Sequence, residues 1–375
     1  MNNTTKIAAI VVVIIIVAAI GSYAYTQSLP QESPSASPTP TATPTPTASP
    51  TPEPTQTPTP NPVTLTVSST TSLYETGVED DAIKPAFEAK YPWITVNFIG
   101  QGTGAAIQTA MRGDADMIMV HSPSQEAAFL QDGYGVNRKI IAYNFFVIVG
   151  PVGDPAGISG MPPLQALTTI KSLGEQGEAI WVSRGDNSGT HSKEKSLWAA
   201  AGIDVAEIRT ETSWYLEAGS GMTATLQIAN EELGYTLSDL ATFLTNQNND
   251  NIDMEVAVEA SKDLLNVYSV ISCNPLNENQ TATDFDAVML FIEWMISDDG
   301  QNLLADYGTE TFGKPLFSPY MPLLNGANDT LLSWIEDFAF IDGSECPPDY
   351  RYMSGNLYEN ASPILTTTIQ SNKDH

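Results

Sequence analysis

Lys139-Ile140-Ile141-Ala142-Tyr143-Asn144-Phe145-Phe146-Val147-Ile148-Val149-Gly150 is the stretch on which the fold turns. It is apolar almost throughout, rich in β-branched and aromatic residues, and too long for one ordinary core strand of about 5–6 residues. Read as a strand that leaves one lobe and enters another, it divides the chain into two bodies. Such a crossing needs a return, and Tyr268 to Cys273 supplies a second apolar run of the right kind. Residues 63–145 and 260–320 are then lobe 1, and residues 146–259 lobe 2. A double crossing leaves a cleft between lobes at the strand ends, where open α/β sheets bind ligands.

Upstream, Val63-Thr64-Leu65-Thr66-Val67 alternates apolar with β-branched polar residues and reads as a strand. Five small hydroxyl residues follow, Ser68-Ser69-Thr70-Thr71-Ser72, where that strand gives way to a helix. One hydroxyl can cap a helix, and five exceed what a cap uses. Helix-start N–H groups with spare hydroxyls make a cradle for an anion. Glu79 to Lys90 has helical spacing, Ile94 to Ile99 reads as a strand, and Gly100-Gln101-Gly102-Thr103-Gly104 turns into a helix through Met111. This turn is weak as a nucleotide fingerprint and is read as a tight turn that brings backbone to the cleft. Asp116 to Val120 is a further strand, after which His121-Ser122-Pro123-Ser124 opens a helix with Pro123 in its first turn. Strands alternating with helices predict a mainly parallel α/β sheet.

Downstream, lobe 2 is expected to hold helices at Leu164 to Leu173, Thr190 to Ala201 and Met222 to Glu232, with strands at Ala179 to Val182 and Met254 to Val258. Between the first strand and the second helix lies Ser183-Arg184-Gly185-Asp186-Asn187-Ser188-Gly189-Thr190-His191, rich in donors. Arg184 offers a permanently charged planar fork that matches oxyanions. Two plainer readings stand beside this one: Arg184 pairs with Asp186, or Arg184-Gly185-Asp186 is a chance adhesion tripeptide. His121, His191 and His375 are too scattered for a metal cluster and read as structural. Asp114 and Asp116 read as solvated. Without a G-x-S-x-G elbow or a nucleophile–base pair, the chain does not read as an enzyme.

A net charge of −29 argues against nucleic acid or an anionic membrane as the main partner. Ile7 to Ile20 is an almost unbroken apolar run, so residues 1–27 read as a transmembrane anchor or a long signal segment. No Cys follows it before Cys273, which excludes a lipid-linked Cys of the lipoprotein kind. Residues 28–62 read as an extracellular spacer, whose Ser33 to Pro62, built almost wholly of Pro, Thr, Ser and Ala, reaches up to roughly 90 Å in polyproline II, with candidate O-glycan sites. Asn279, Asn328 and Asn360 begin N-glycosylation triplets. Cys273 and Cys346, the only cysteines, are either a disulfide or two buried thiols. Residues 321–375 are a C-terminal extension whose Trp334 and Phe338 to Phe340 are expected to pack on the body.

Taken together, Ser69-Thr70-Thr71-Ser72, Gly102-Thr103-Gly104-Ala105, Val120-His121-Ser122-Pro123, Tyr143-Asn144, Val182 to His191, Leu197-Trp198, Gly221-Met222 and Tyr235-Thr236-Leu237-Ser238-Asp239 resemble the tungstate-binding proteins of ABC importers. That family is a branch of the periplasmic-binding-protein-like II superfamily, and the blocks run in order from Val63 to Pro319. The resemblance implies a two-lobed periplasmic-binding-protein type II fold closing on an oxyanion. It implies contacts from Thr70, Thr71 and Ser72, from Ser122, and from Arg184, Ser188 and Thr190. The ligand would be tungstate, with molybdate weaker, delivered to an ABC permease and its ATPase subunit, with no cofactor and no metal site. A tethered monomer on the outer face of the cell membrane, suited to an archaeal surface, completes the expectation. Sulfate or phosphate binding, and a stalked adhesion or sensor role on the same fold, are the alternatives.

Overall fold

The computed structural model describes residues 61–211, 213–280 and 284–352. The anchor at 1–27, nearly all of the 28–62 spacer, the glycosylation triplet at Asn360 and the last part of the extension lie outside them. No helix among the described residues is long and apolar enough to cross a membrane. In chain order the strands are β1 Val63–Thr70, β2 Ile94–Gln101, β3 Met117–Val120, β4 Gly135–Pro151, β5 Trp181–Ser183, β6 Tyr215–Glu217, β7 Thr236–Asp239, β8 Met254–Val258, β9 Leu265–Cys273 and β10 Ser318–Pro319. The principal helices are α1 Thr71–Tyr74, α2 Lys84–Lys90, α3 Thr103–Met111, α4 Pro123–Gln131, α5 Pro163–Gly174, α6 Gly189–Ala200, α7 Met222–Glu231, α8 Leu240–Asn248, α9 Phe285–Ile296, α10 Asp298–Asp306 and α11 Asp329–Ala339.

The long apolar run is one strand, β4, of 17 residues. Its first part, Gly135 to Phe145, pairs antiparallel with β9, and Phe146 to Val149 pairs with β7. Its far end, Ile148 to Pro151, pairs with β8. The strand therefore belongs to two sheets in succession, and its partners change between Phe145 and Phe146. Lobe 1 has the order β10-β4-β9-β3-β1-β2. In lobe 2, β5 and β6 pair parallel and join β7 through a bridge between Trp181 and Tyr235.

Both faces of each sheet are covered, which explains why the strands read as continuous apolar runs. Met117 and Met119 of β3 enter one core with Phe87, Ile292 and Trp294, whereas Ile118 and Val120 enter another with Ala106, Phe129 and Ile271. In lobe 2, Phe146 and Ile148 face Trp181, Trp198 and Trp214, while Val147 and Val149 face Val182, Leu226 and Phe243.

Three expectations need correction. The sheet is mixed rather than mainly parallel: β1 runs parallel to β2 and β3, but β9 is antiparallel to both β3 and β4. An outgoing crossing strand and its return must run in opposite senses, so the crossing itself imposes this. The helix expected from Glu79 begins as a π-helical turn over Val78–Ile83 before α2. Asp116 is not simply solvated, for its carboxylate accepts the Thr66 N–H at 2.7 Å and ties the residue before β3 to the middle of β1.

Both cysteines are buried free thiols, Cys273 donating to the Ala115 carbonyl at 3.2 Å. In the extension, Ile335 and Ala339 enter the lobe 1 core, with Trp334, Phe338 and Phe340 packed against it. Glu345 then clasps the body, its carboxylate accepting from Lys139 Nζ at 2.6 Å and from the Ile140 N–H.

Candidate functional site

The parallel arrangement of β1, β2 and β3 brings their carboxyl ends to one edge of lobe 1. At that edge the five hydroxyls divide their tasks. Ser68 Oγ accepts from Gln101 Nε2 at 2.8 Å, and Ser69 Oγ donates to the buried carboxyl of Glu79. Burial pushes the Glu79 carboxyl up to about 8, so it stays protonated through neutral pH. Thr70 precedes α1 without capping it, and its Oγ1 is buried with no hydrogen-bond partner. Thr71 Oγ1 accepts from Arg184 Nη2 at 2.7 Å, and Ser72 Oγ lies 3.4 Å from His121 Nε2.

On the lobe 2 side, the chain leaves β5 through a loop that hands Arg184 to the cleft and then starts α6. Gly185 takes φ +70°, and a Cβ there would also stand 3.0 Å from Glu217. Asp186 holds the loop together: Oδ2 accepts from Arg184 Nε at 2.9 Å and Oδ1 from the Ser188 N–H at 3.0 Å. Ser188 caps α6, accepting from the His191 N–H at 3.2 Å. Behind the loop, Glu194 accepts from Ser183 Oγ, Trp181 Nε1, Trp198 Nε1 and Tyr215 Oη at 2.8 to 3.2 Å. Burial raises the Glu194 carboxyl while these four donors oppose it. That network anchors the end of β5 and so the root of Arg184. The guanidinium is only 1% exposed, and its Nη1 has no hydrogen-bond partner. Thr190 Oγ1 is likewise fully buried and unpartnered.

The lobes meet around these groups. A Cβ on Gly189 would stand 2.4 Å from His121 Nε2, and one on Gly102 would meet Asp186 and Ser188 at 3.3 Å, so only glycine allows the approach at Gly189. Glu75 Oε2 accepts from Thr223 Oγ1 at 2.9 Å. Lys193 Nζ lies 4.1 Å from the Phe338 ring, where burial brings its pKa down to about 8. A small cavity beside the contact is lined by His121, Ser122, Phe146, Gly189, Lys193 and Phe338.

Of the residues singled out from sequence, Thr71 and Arg184 touch directly, and Ser72 reaches the Ser188–Thr190 segment through His121 and Gly189. Ser122 shares the cavity with His121, and its N–H donates to Glu126 at 2.8 Å. Thr70 and Thr190 make no side-chain hydrogen bond, and Ser188 spends its hydroxyl on the helix cap. Arg184 does pair with Asp186, yet through Nε alone, so the pair aims the fork instead of consuming it. Asp186 has both oxygens committed, Oδ2 to Arg184 and Oδ1 to the Ser188 N–H. His121, expected to be structural, is buried and bonded to Asn266, and it also stands at the lobe contact; no local signal marks that place because Asn266 is 145 residues away. Asp239 closes one of the blocks that carry the family resemblance but is absent from the contact set that the resemblance implies. It ends β7, its Oδ2 is buried without a partner, and burial pushes its carboxyl up to about 6 against the field of Arg184.

The arrangement is a set of buried donors converging from two lobes on one arginine fork. Residues 39–299 match the model of the PBP superfamily domain. The chain is 43% identical over 274 residues to a Haloferax volcanii protein assigned as an ABC transporter anion-binding protein, covering 69% of this chain and 76% of that one. It is 36% identical to the tungstate-binding protein TupA of Peptoclostridium acidaminophilum, covering 68% of this chain and 85% of that one. Among solved structures, the tungstate-binding protein TupA of Desulfovibrio alaskensis is 37% identical with a TM-score of 0.57, covering 69% of this chain and 99% of that one.

Proposed function

The chain belongs to the PBP superfamily and to the branch of it that holds the TupA proteins, and from that footing we propose that it captures tungstate outside the cell and delivers it to an ABC permease. The observation that carries this reading is the fork of Arg184, tied to Asp186 through Nε and to Thr71 of the opposite lobe through Nη2, with Nη1 buried and unpartnered beside it. A buried guanidinium N–H and two buried hydroxyls, Thr70 and Thr190, are donors in want of an acceptor. A fully deprotonated oxyanion such as tungstate, molybdate or sulfate supplies acceptors only. Charge-assisted hydrogen bonds of roughly 1.5–3 kcal/mol each offset the ion's desolvation when several act together. Thr70, Thr71, Ser72, Ser122, Arg184, Ser188 and Thr190 form the proposed contact set, with molybdate held more weakly than tungstate. No cofactor takes part and no bond in the ligand is made or broken.

Residues 1–27 tether the protein as a monomer to the outer membrane face, and the Pro/Thr spacer lets the lobes reach a permease. One observation favours a second reading: the unpartnered Asp239 Oδ2 could accept the proton of hydrogen phosphate. Calorimetry with tungstate, molybdate, sulfate and phosphate separates the two. Tungstate should bind most tightly; preference for phosphate selects the second reading, and no heat with any of the four rejects both.

A further inference from the structure

A directional chain of hydrogen bonds runs from the floor of lobe 1 to the hydroxyl run. The backbone carbonyl of Leu316 can only accept, and it receives Asn144 Nδ2 at 3.3 Å. Asn144 therefore presents Oδ1 to Asn266, which donates to it from Nδ2 at 2.8 Å and to Tyr268 Oη at 2.9 Å. Both protons of the Asn266 amide are thus assigned, and its Oδ1 faces His121 Nδ1 at 2.9 Å. An amide oxygen has no proton to give, so Nδ1 of His121 must carry the hydrogen. In the neutral ring, Nε2 is then left as an acceptor, 3.4 Å from Ser72 Oγ. Stacking on Tyr268 at 5.1 Å and Phe146 at 5.9 Å, with Gly189 against the edge, stops the ring from turning away.

The consequence falls on Ser72. A hydroxyl has one hydrogen, and a neutral His121 draws it away from the cleft. When an anion takes that hydrogen instead, Nε2 loses its partner in a buried site. If Nε2 is itself protonated, it donates to Ser72 Oγ, and the Ser72 hydrogen is free for the anion.

We propose that His121 is a positioning residue for the oxyanion site, directing the Ser72 hydroxyl away from the cleft when neutral and toward the ligand when it takes up a proton on binding. The inference rests on the reading of the cleft given above. Burial lowers the free ring to about 4, and the Asn266 bond opposes that shift. Other ionisable groups bear on the ring: Arg184 opposes its protonation, and Asp186 favours it. Lys193 lines the same cavity, Glu126 accepts from the adjoining Ser122 N–H, and Tyr268 stacks on the ring with Asp239 acting on its hydroxyl. A dianion in the cleft adds the negative charge that lifts the ring. Affinity should then fall up to tenfold per pH unit as pH rises from about 4 toward the ring's pKa in the complex.

The test uses the full-length chain with 15N-labelled histidine, the His121→Gln variant identifying the signal. The expected free ring is protonated on Nδ1 alone, and at pH 6 with saturating tungstate both nitrogens carry hydrogen. A free ring protonated on Nε2, or a ring still neutral with tungstate bound, overturns the proposal. Calorimetry in two buffers of different ionisation heat should show one proton taken up per tungstate. The uptake should vanish in His121→Gln and persist in Asp239→Asn; uptake that survives His121→Gln rejects the role. If tungstate does not bind at all, the oxyanion reading of the cleft fails and takes this coupling with it, a result distinct from binding without uptake.

Discussion

Arg184 concentrates the site's charge, because its three nitrogens have three separate destinies. Removing the fork leaves the hydroxyls without a counter-charge, so Arg184→Ala should lower tungstate affinity at least 100-fold, roughly 3 kcal/mol. Arg184→Lys keeps the charge but cannot hold Asp186 and Thr71 at once, and should recover little of it. Calorimetry checks both, with an unchanged thermal melt as the control for folding. A second residue is testable through stability. Glu79 is raised from 4.5 to about 8 by burial, so the folded chain keeps a proton that the unfolded chain releases above pH 4.5. Its contribution is complete below that value and is lost, at roughly 1.4 kcal/mol per pH unit, as pH climbs toward 8. Glu79→Gln should flatten the fall in melting temperature between pH 5 and pH 8; identical slopes would show that Glu79 is not the group responsible. Thr70 to Ser72 and Arg184 were legible because hydroxyl density and a lone guanidinium stand out locally. His121, Asp239 and Asn266 were not, since their roles arise from partners far away in sequence.

Strands and helices differed in how openly they announced themselves. β4 was readable because an apolar run of its length, alternating between two covered faces, fits no single sheet. β6 and β7, of 3 and 4 residues, carry too little pattern to be seen alone and exist because β5 and β4 offer them edges. The C-terminal extension was opaque for a similar reason, since Glu345 finds its partners on β4. Arg138 Nη1 donates to the Glu345 carbonyl at 2.8 Å, and Arg138 Nε donates to Glu126, which in turn holds the Ser122 N–H. The tail is therefore wired to the start of α4 at the site. Glu345→Ala removes the ion pair to buried Lys139 and the acceptor of the Ile140 N–H, and should cost about 2–4 kcal/mol in urea unfolding with an unchanged slope. A loss below 0.5 kcal/mol would show that the tail merely lies on the surface.

The described residues from Val63 onward form a pair of doubly covered sheets that share one strand, with donors gathered where they meet. Its net charge of −29 repels the anion it is proposed to bind. Salt screens that field over roughly 10 Å at 0.1 M, whereas the buried contacts at Arg184 are screened far less. Association of tungstate should therefore speed up several-fold between 10 and 200 mM salt, with a smaller change in dissociation; stopped-flow rates that fall with salt would contradict this. The most direct test of the central claim is a crystal structure grown with tungstate. Anomalous scattering should place tungsten between the lobes, within hydrogen-bonding reach of Arg184 Nη1 and the Thr70–Ser72 segment. Tungsten found elsewhere, or an interlobe site without it at saturating tungstate, would contradict the account.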